Sequence, residues 1–156
     1  MILRQRVAAI VVKEDTVLLM HRINDGKEYY SFPGGGKEEN ESLETGALRE
    51  LSEETTVDAI IDRLVYKVIW DSGDENYFYL CNYISGEPKL REDAEELKEM
   101  ADGKQAYKPE WVYISDLPNT LLYQLEIRDL LIKDLKNGFL EHPQELFIKV
   151  EERRRI

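Results

Sequence analysis

Arg49, Glu50, Glu53 and Glu54 stand close together in this chain, and three consecutive glycines, Gly34, Gly35 and Gly36, precede them. If the stretch is helical, a turn of about 100° per residue places Glu50, Glu53 and Glu54 within an arc of about 100°. Glu50 then has like-charged neighbours three and four residues on, each pair costing the helix a few tenths of a kcal/mol. A divalent cation reverses the sign of that interaction. Hard oxygen donors at this density suit Mg²⁺ or Mn²⁺, which keep waters and bind phosphate oxygens in their remaining positions. Arg49 adds a fixed positive charge that can hold a carboxylate by a bidentate pair. The glycines let backbone approach a ligand, so that peptide groups can face a metal or a phosphate.

The element that must carry these glutamates is an amphipathic helix. Leu43, Ala47, Leu48 and Leu51 recur at helical spacing as one apolar stripe, and Ser42 is placed to cap the N-terminus. Each feature alone has a plainer reading, since acidic helices are commonly solvated faces and glycine runs are commonly turns. Their joint spacing is what argues for a site.

That spacing resembles the Nudix box: Gly, five residues, Glu, seven residues, Arg-Glu, an aliphatic, any residue, Glu-Glu, any residue, Gly, an aliphatic. Here Gly35 is followed by Glu41, then by Arg49, Glu50, Leu51, Ser52, Glu53, Glu54, Thr55, Thr56 and Val57. Every position matches except Thr56, which stands where the family has glycine. The glycine it replaces would sit in left-handed backbone just past the helix end. Resemblance continues in Tyr30 to Pro33, in Glu38, and in Glu110, Trp111 and Val112, and covers the chain to about Leu135.

The resemblance implies hydrolysis, by water attack on phosphorus, of a pyrophosphate bond in a nucleoside diphosphate linked to another moiety. An oxidised purine nucleoside triphosphate, a dinucleoside polyphosphate and a nucleotide sugar all fit that description. It implies Glu50, Glu53 and Glu54 as metal ligands, with backbone at Gly35, holding Mg²⁺ that Mn²⁺ can replace. Glu53 and Glu54 would act in catalysis, while Arg49 and Glu41 orient the ligands. Glu38, Gly34, Gly36 and Arg22 would meet substrate. In this family a loop glutamate outside the box often joins as ligand or base, and Glu95, Glu96 and Glu99 are the candidates. Whether the base comes from the box or from this loop stays open. The alternative from another class is a nucleotide-binding sensor that keeps the fold without turnover, but every box carboxylate is present. A purely structural acidic domain is a third, and it predicts no response to metal.

The rest of the chain bounds these readings. Its 156 residues suit one domain with a proper core, and 42% hydrophobic residues are ordinary for a soluble globular protein. No apolar run approaches a membrane span, and the start MILRQRVAAIVV reads as no signal peptide, so a cytoplasmic protein is expected. A net charge of −11 argues against polymeric nucleic acid, whose binding needs a basic footprint. A small phosphorylated substrate stays open if a metal mediates. The single cysteine, Cys81, lies in an apolar strand pattern and reads as a buried, inert thiol.

Strands are expected over Arg6–Val12, Thr16–Arg22, Tyr29–Phe32, Val57–Trp70, Glu75–Ile84 and Tyr107–Ile114, with turns at Lys13–Asp15, Asn24–Gly26 and Asp71–Asp74. Tyr77, Tyr79, Cys81 and Tyr83 alternate with Phe78, Leu80, Asn82 and Ile84, which predicts a sheet covered on both faces. Trp70, Tyr77 and Tyr79 are read as core rather than as base-stacking residues, and His21 as a solvated strand end. Residues 89–106 are a charged, helix-prone loop. Ser115–Pro118 reads as a turn, and a second amphipathic helix is expected over Leu121–Leu135, with Leu122, Ile127, Leu130, Leu131 and Leu135 buried and Gly138 ending it. The fold class is thus α/β of the α+β kind, a mixed β-sheet between helices, matching the Nudix-type α/β/α sandwich. Residues 1–138 make that domain. Residues 139–156 are an extension in which LFIKV, Leu146–Val150, reads as an added strand and Arg153, Arg154 and Arg155 as a basic end, the tail either packing on a second subunit of a homodimer or fraying.

Overall fold

The computed structural model describes residues 3–90, 100, 103 and 105–150. Its strands are β1 (Gln5–Lys13), β2 (Thr16–Asn24), β3 (Lys27–Ser31), β4 (Gly34–Gly36), β5 (Asp58–Trp70), β6 (Glu75–Ser85), β7 (Gln105–Tyr113), β8 (Leu122–Tyr123) and β9 (Gln144–Ile148). The α-helices α1 (Leu43–Thr55) and α2 (Leu125–Asn137) accompany them, with a 3₁₀ helix at Ile114–Asn119.

The strands form one mixed sheet in the order β8-β3-β2-β1-β6-β5-β9, with β4 added to β1 and β7 to β2. Strands β1 and β6 run parallel, as do β5 and β9, while β1 meets β2 and β4 antiparallel. The parallel pairing of β1 with β6 places Arg6 beside Asn76 and Ala8 beside Phe78. Residues 70 apart in sequence therefore share a sheet face.

Alternation along these strands feeds two cores, as a sheet covered on both sides requires. On one face Ile10, Leu19, Tyr66 and Phe78 pack with Ile127 and Leu131 of α2. On the other Val7, Val11, Leu18, Tyr79 and Cys81 pack with Ala47 and Leu51 of α1. Burial pushes the Cys81 thiol up to about 12, which keeps it protonated and inert at neutral pH. The expected sandwich and mixed sheet are present. No helix among the described residues is long and apolar enough to cross a membrane.

Two local expectations are corrected. The second helix starts at Leu125 rather than Leu121, because the backbone before it joins the sheet. The Tyr30 amide donates to the Leu121 carbonyl at 2.9 Å, Leu122 pairs with Tyr30, and the Leu122 side chain is fully buried. Sheet pairing here decides the element over local helix propensity. Ser115–Pro118 is part of the 3₁₀ helix, closed by the Thr120 amide donating to Leu117 at 3.0 Å. The added strand expected at LFIKV is present in β9, which pairs with β5 of its own chain and buries Ile148. Asp134 on α2 accepts from Tyr66 at 2.7 Å and from Gln144 at 3.0 Å, tying helix, sheet and β9 together. Arg153, Arg154 and Arg155 lie outside the described residues.

Candidate active site

Helix α1 begins where expected. The Ser42 hydroxyl accepts from the Thr45 amide at 3.1 Å, and Leu51 and Ala47 face the sheet. At its far end Thr56 adopts left-handed backbone, φ 57° and ψ 10°, with its amide donating to Ser52. The position demands the conformation that glycine takes at no steric cost, and here a β-branched residue bears it. The Thr56 hydroxyl donates to the Glu87 carbonyl at 2.9 Å.

Arg49 is the hub of the acidic cluster. Its Nη2 donates to Glu41 Oε1 at 2.8 Å and its Nε to Glu41 Oε2 at 3.0 Å. The other arm, Nη1, reaches Glu50 Oε1 at 3.0 Å and Glu53 Oε2 at 3.4 Å. Nη2 also donates to the Gly36 carbonyl at 3.1 Å, so one guanidinium holds three carboxylates and the glycine strand. Glu38 stands at the edge, 3.7 Å from Arg49 Nε, and its amide donates to Glu41 at 2.8 Å. Hydrogen bonding from Arg49 holds the Glu41 carboxyl below the usual carboxylate range, against burial, which raises it. The same bond raises the Arg49 guanidinium further. Glu54 is buried, and its Oε2 accepts from the Gly34 amide at 3.3 Å.

Close approach explains two of the glycines. A Cβ on Gly34 would lie 2.3 Å from the Val7 carbonyl oxygen of β1, and one on Gly35 would lie 2.6 Å from Glu50 Oε1. The second contact is chemical as well as steric: the Glu50 carboxylate rests on bare backbone, a cradle that any side chain would fill.

No group of three or more Asp, Glu, His or Cys among the described residues is gathered closely enough to hold a metal ion by itself. The donor set nevertheless fits a cation that takes only one or two carboxylates from protein and the rest from water and substrate phosphate, which is how Mg²⁺ is usually held.

Beside the glycine strand opens a cavity of about 340 Å³ lined by Gly34, Gly35, Arg6, Arg22 and Asn76 among others, with Phe32, Trp70 and Phe78 as apolar wall. Arg22 is fixed by Nε donating to Ser31 at 2.7 Å and by the Tyr107 ring 4.7 Å from its guanidinium carbon. Trp70 is buried, lines this cavity and belongs to the core; Tyr77 and Tyr79 pack on the α1 face. His21 is no simple solvated strand end: it stacks on Tyr30 at 4.5 Å and contacts Glu28 at 2.6 Å.

The structure thus brings Glu38, Glu41, Arg49, Glu50, Glu53 and Gly36 into one network, sets Gly35 and Glu54 against it, and puts Arg22 in the adjoining cavity. Glu95, Glu96 and Glu99 lie outside the described residues. Sequence reasoning missed Arg6 and Asn76. The usable signal was their position: each falls in step with the apolar residues that follow, Ala8 and Ile10 or Phe78 and Leu80, on the covered face of its strand.

Comparison with known proteins agrees with this geometry. The chain matches the NUDIX domain over residues 3–131. Among solved structures it resembles a NUDIX hydrolase from Nitrosomonas europaea, at 19% identity and a TM-score of 0.72 over 94% of this chain and 78% of that one. An ADP-ribose pyrophosphatase from Streptococcus suis is 21% identical with a TM-score of 0.61, over 93% and 98%. A MutT protein from Bacillus halodurans is also 21% identical, TM-score 0.60, over 94% and 88%. At these identities the likeness concerns the fold. No curated protein matches the sequence significantly. Since the matched span takes in the glycine strand, the glutamate helix and most of the chain, this protein belongs to the NUDIX domain family.

Proposed function

We propose that this chain hydrolyses a pyrophosphate bond in a nucleoside diphosphate linked to another moiety, with Mg²⁺ as its cofactor and Mn²⁺ able to substitute. The observation that carries the proposal is the Arg49 clamp, which collects Glu41, Glu50, Glu53 and the Gly36 carbonyl beside a cavity lined by the preceding glycines, Gly34 and Gly35. Such an arrangement stabilises the helix poorly as bare carboxylates and well once cation and phosphate are present.

Glu50, Glu53 and Glu54, with backbone at Gly35, are the residues that would hold the metal. Bound there, Mg²⁺ would neutralise the diphosphate and make a water more acidic. The protein's own part is positioning and charge, the main demands of phosphoryl transfer. Arg49 fixes Glu50 and Glu53 by direct hydrogen bonds and is itself fixed by Glu41. Arg22, braced by Ser31, offers its remaining donors to a phosphate in the cavity. The proton of the attacking water passes to a box glutamate or to one of Glu95, Glu96 and Glu99.

The compounds that fit are those of the family reading: an oxidised purine nucleoside triphosphate, a dinucleoside polyphosphate or a nucleotide sugar. Structural neighbours include a MutT protein, an ADP-ribose pyrophosphatase and a UDP-X diphosphatase, which keeps more than one of these classes in view. The test is phosphate and pyrophosphate release from a panel of these with Mg²⁺, comparing the wild type with Glu53→Gln. Turnover of one class, lost in a folded variant, supports the proposal. Nucleotide binding without turnover in either protein would overturn it in favour of a sensor.

A further inference from the structure

Asn76 lines the cavity, and its side-chain Oδ1 is buried without a hydrogen-bond partner among the described residues. That oxygen is shut off from solvent and accepts from no group among the described residues. Leaving a buried acceptor unsatisfied costs about 1–3 kcal/mol, so its place on a cavity wall calls for a ligand that supplies the donor. A protein packing for stability alone would put an apolar residue there, as the same strand does at Phe78.

The surroundings define what that ligand presents. Around Asn76 the wall is aromatic, with Trp70, Phe78 and Phe32, and this matches a flat, largely apolar group better than a sugar ringed with hydroxyls. Position fits too. Strands β4, β1 and β6 lie side by side, and Arg6 pairs with Gly36 on one flank and with Asn76 on the other. Two strand spacings of about 4.8 Å put Asn76 about 10 Å from the glycine strand. A substrate whose phosphates lie at the glycines can therefore reach Asn76 only with the group beyond its pentose.

We infer that Asn76 is a specificity-determining residue: its amide reads the edge of the substrate's nucleobase, and Oδ1 accepts from an N–H on that edge. The inference rests on the hydrolase reading for the placement of the phosphates, and it assigns the cavity to the base rather than to the second moiety.

The test is a cycle in which both partners are altered. The wild type and Asn76→Leu are each given the best-used nucleotide and the same nucleotide methylated at the base N–H. Both kcat/KM and binding by calorimetry are measured, and thermal melts check folding. The wild type is expected to discriminate against the methylated base by about tenfold or more, the value of one hydrogen bond of about 1.4 kcal/mol. In Asn76→Leu that discrimination should fall to within about twofold. Should the leucine variant not fold, Asn76→Ser, which withdraws the amide without adding bulk, carries the same comparison. Equal discrimination in wild type and variant overturns the inference, as does a wild type indifferent to every position of methylation. If nothing is hydrolysed but binding still discriminates through Asn76, the hydrolase reading fails and the base assignment stands. If no nucleotide binds, both fail.

Discussion

Replacing Arg49 by lysine keeps the charge and removes the fork, which makes it the sharpest probe of the clamp. The guanidinium makes contacts with Glu41, Glu50, Glu53 and the Gly36 carbonyl, and a lysine ammonium, with three donors on one atom, cannot span them. The partners are well shielded, with side-chain exposures of 10% for Glu41 and 13% for Glu50, so the loss is not erased by solvent screening. Each charge-assisted hydrogen bond is worth about 1.5–3 kcal/mol. They share one donor group and do not add, and lysine still satisfies one carboxylate, which leaves a net cost of about 2–4 kcal/mol. For a chain of this size that lowers the melting temperature by about 5–15 °C.

The same variant carries a pH signature. Glu41 is held below its ordinary 4.5 in the folded state, chiefly by hydrogen bonding from Arg49. A depressed carboxylate contributes stability that is complete above its unfolded value and lost as pH falls through its folded value. The gap between the wild type and Arg49→Lys should therefore be full at pH 7 and narrow below about pH 4.5. Urea unfolding between pH 3 and pH 7 measures it, and adding Glu41→Gln completes a double-mutant cycle with a coupling of about 2 kcal/mol. A lysine variant within about 0.5 kcal/mol of wild type, or a strictly additive cycle, would refute the clamp as the organiser of this site.

The other expectations follow from single contacts. Gly35→Ala puts a methyl against the far end of Glu50, so the variant should fold with a loss under about 1 kcal/mol, yet lose the thermal stabilisation by Mg²⁺ expected of the wild type; an unaltered Mg²⁺ response would sink the cradle argument. Gly34→Ala meets backbone instead, the Val7 carbonyl, and should cost about 3 kcal/mol in urea unfolding. Asp134→Ala strands the buried Tyr66 hydroxyl and frees Gln144 of β9, for a loss of about 2–4 kcal/mol, with hydrogen exchange fastest in β9; uniform protection there would contradict it. Thr56→Gly removes strain of about 1–2 kcal/mol but adds unfolded-chain entropy of about 0.5–1 kcal/mol and loses one exposed hydrogen bond. Stability should then stay level or rise by about 0.5 kcal/mol, and a drop beyond 1 kcal/mol in the same assay would show that the hydroxyl bond to Glu87 matters more.

Local signals made the chemistry-bearing stretch legible in the sequence. Ser42, the stripe of Leu43, Ala47 and Leu51, and the glutamates at spacings of three and four all express themselves within one helix, where 3.6-residue periodicity and capping act over a few residues. Strand alternation was equally local, and it foretold the two covered faces seen at Phe78 and Tyr79. Leu122 shows where such reading stops. Its apolar character beside the helix that follows suggested a longer helix, but a hydrogen bond from Tyr30, 91 residues earlier than the Leu121 carbonyl it meets, drew that backbone into the sheet.

The cavity was harder to foresee for the same reason, and the consequence reaches function. Arg6 and Asn76 are 70 residues apart and meet only because β1 and β6 pair in parallel with that register. A register displaced by one residue would turn Asn76 to the α1 face and offer Glu75 or Tyr77 to the cavity in its place. The glutamates proposed as metal ligands are written into one helix and survive such a change, whereas the cavity wall is written into the pairing of distant strands. On the proposed function, reaction chemistry and substrate choice are encoded at different ranges, and substitutions at Arg6, Asn76 or the β1–β6 seam should alter which compound is used before they alter what is done to it.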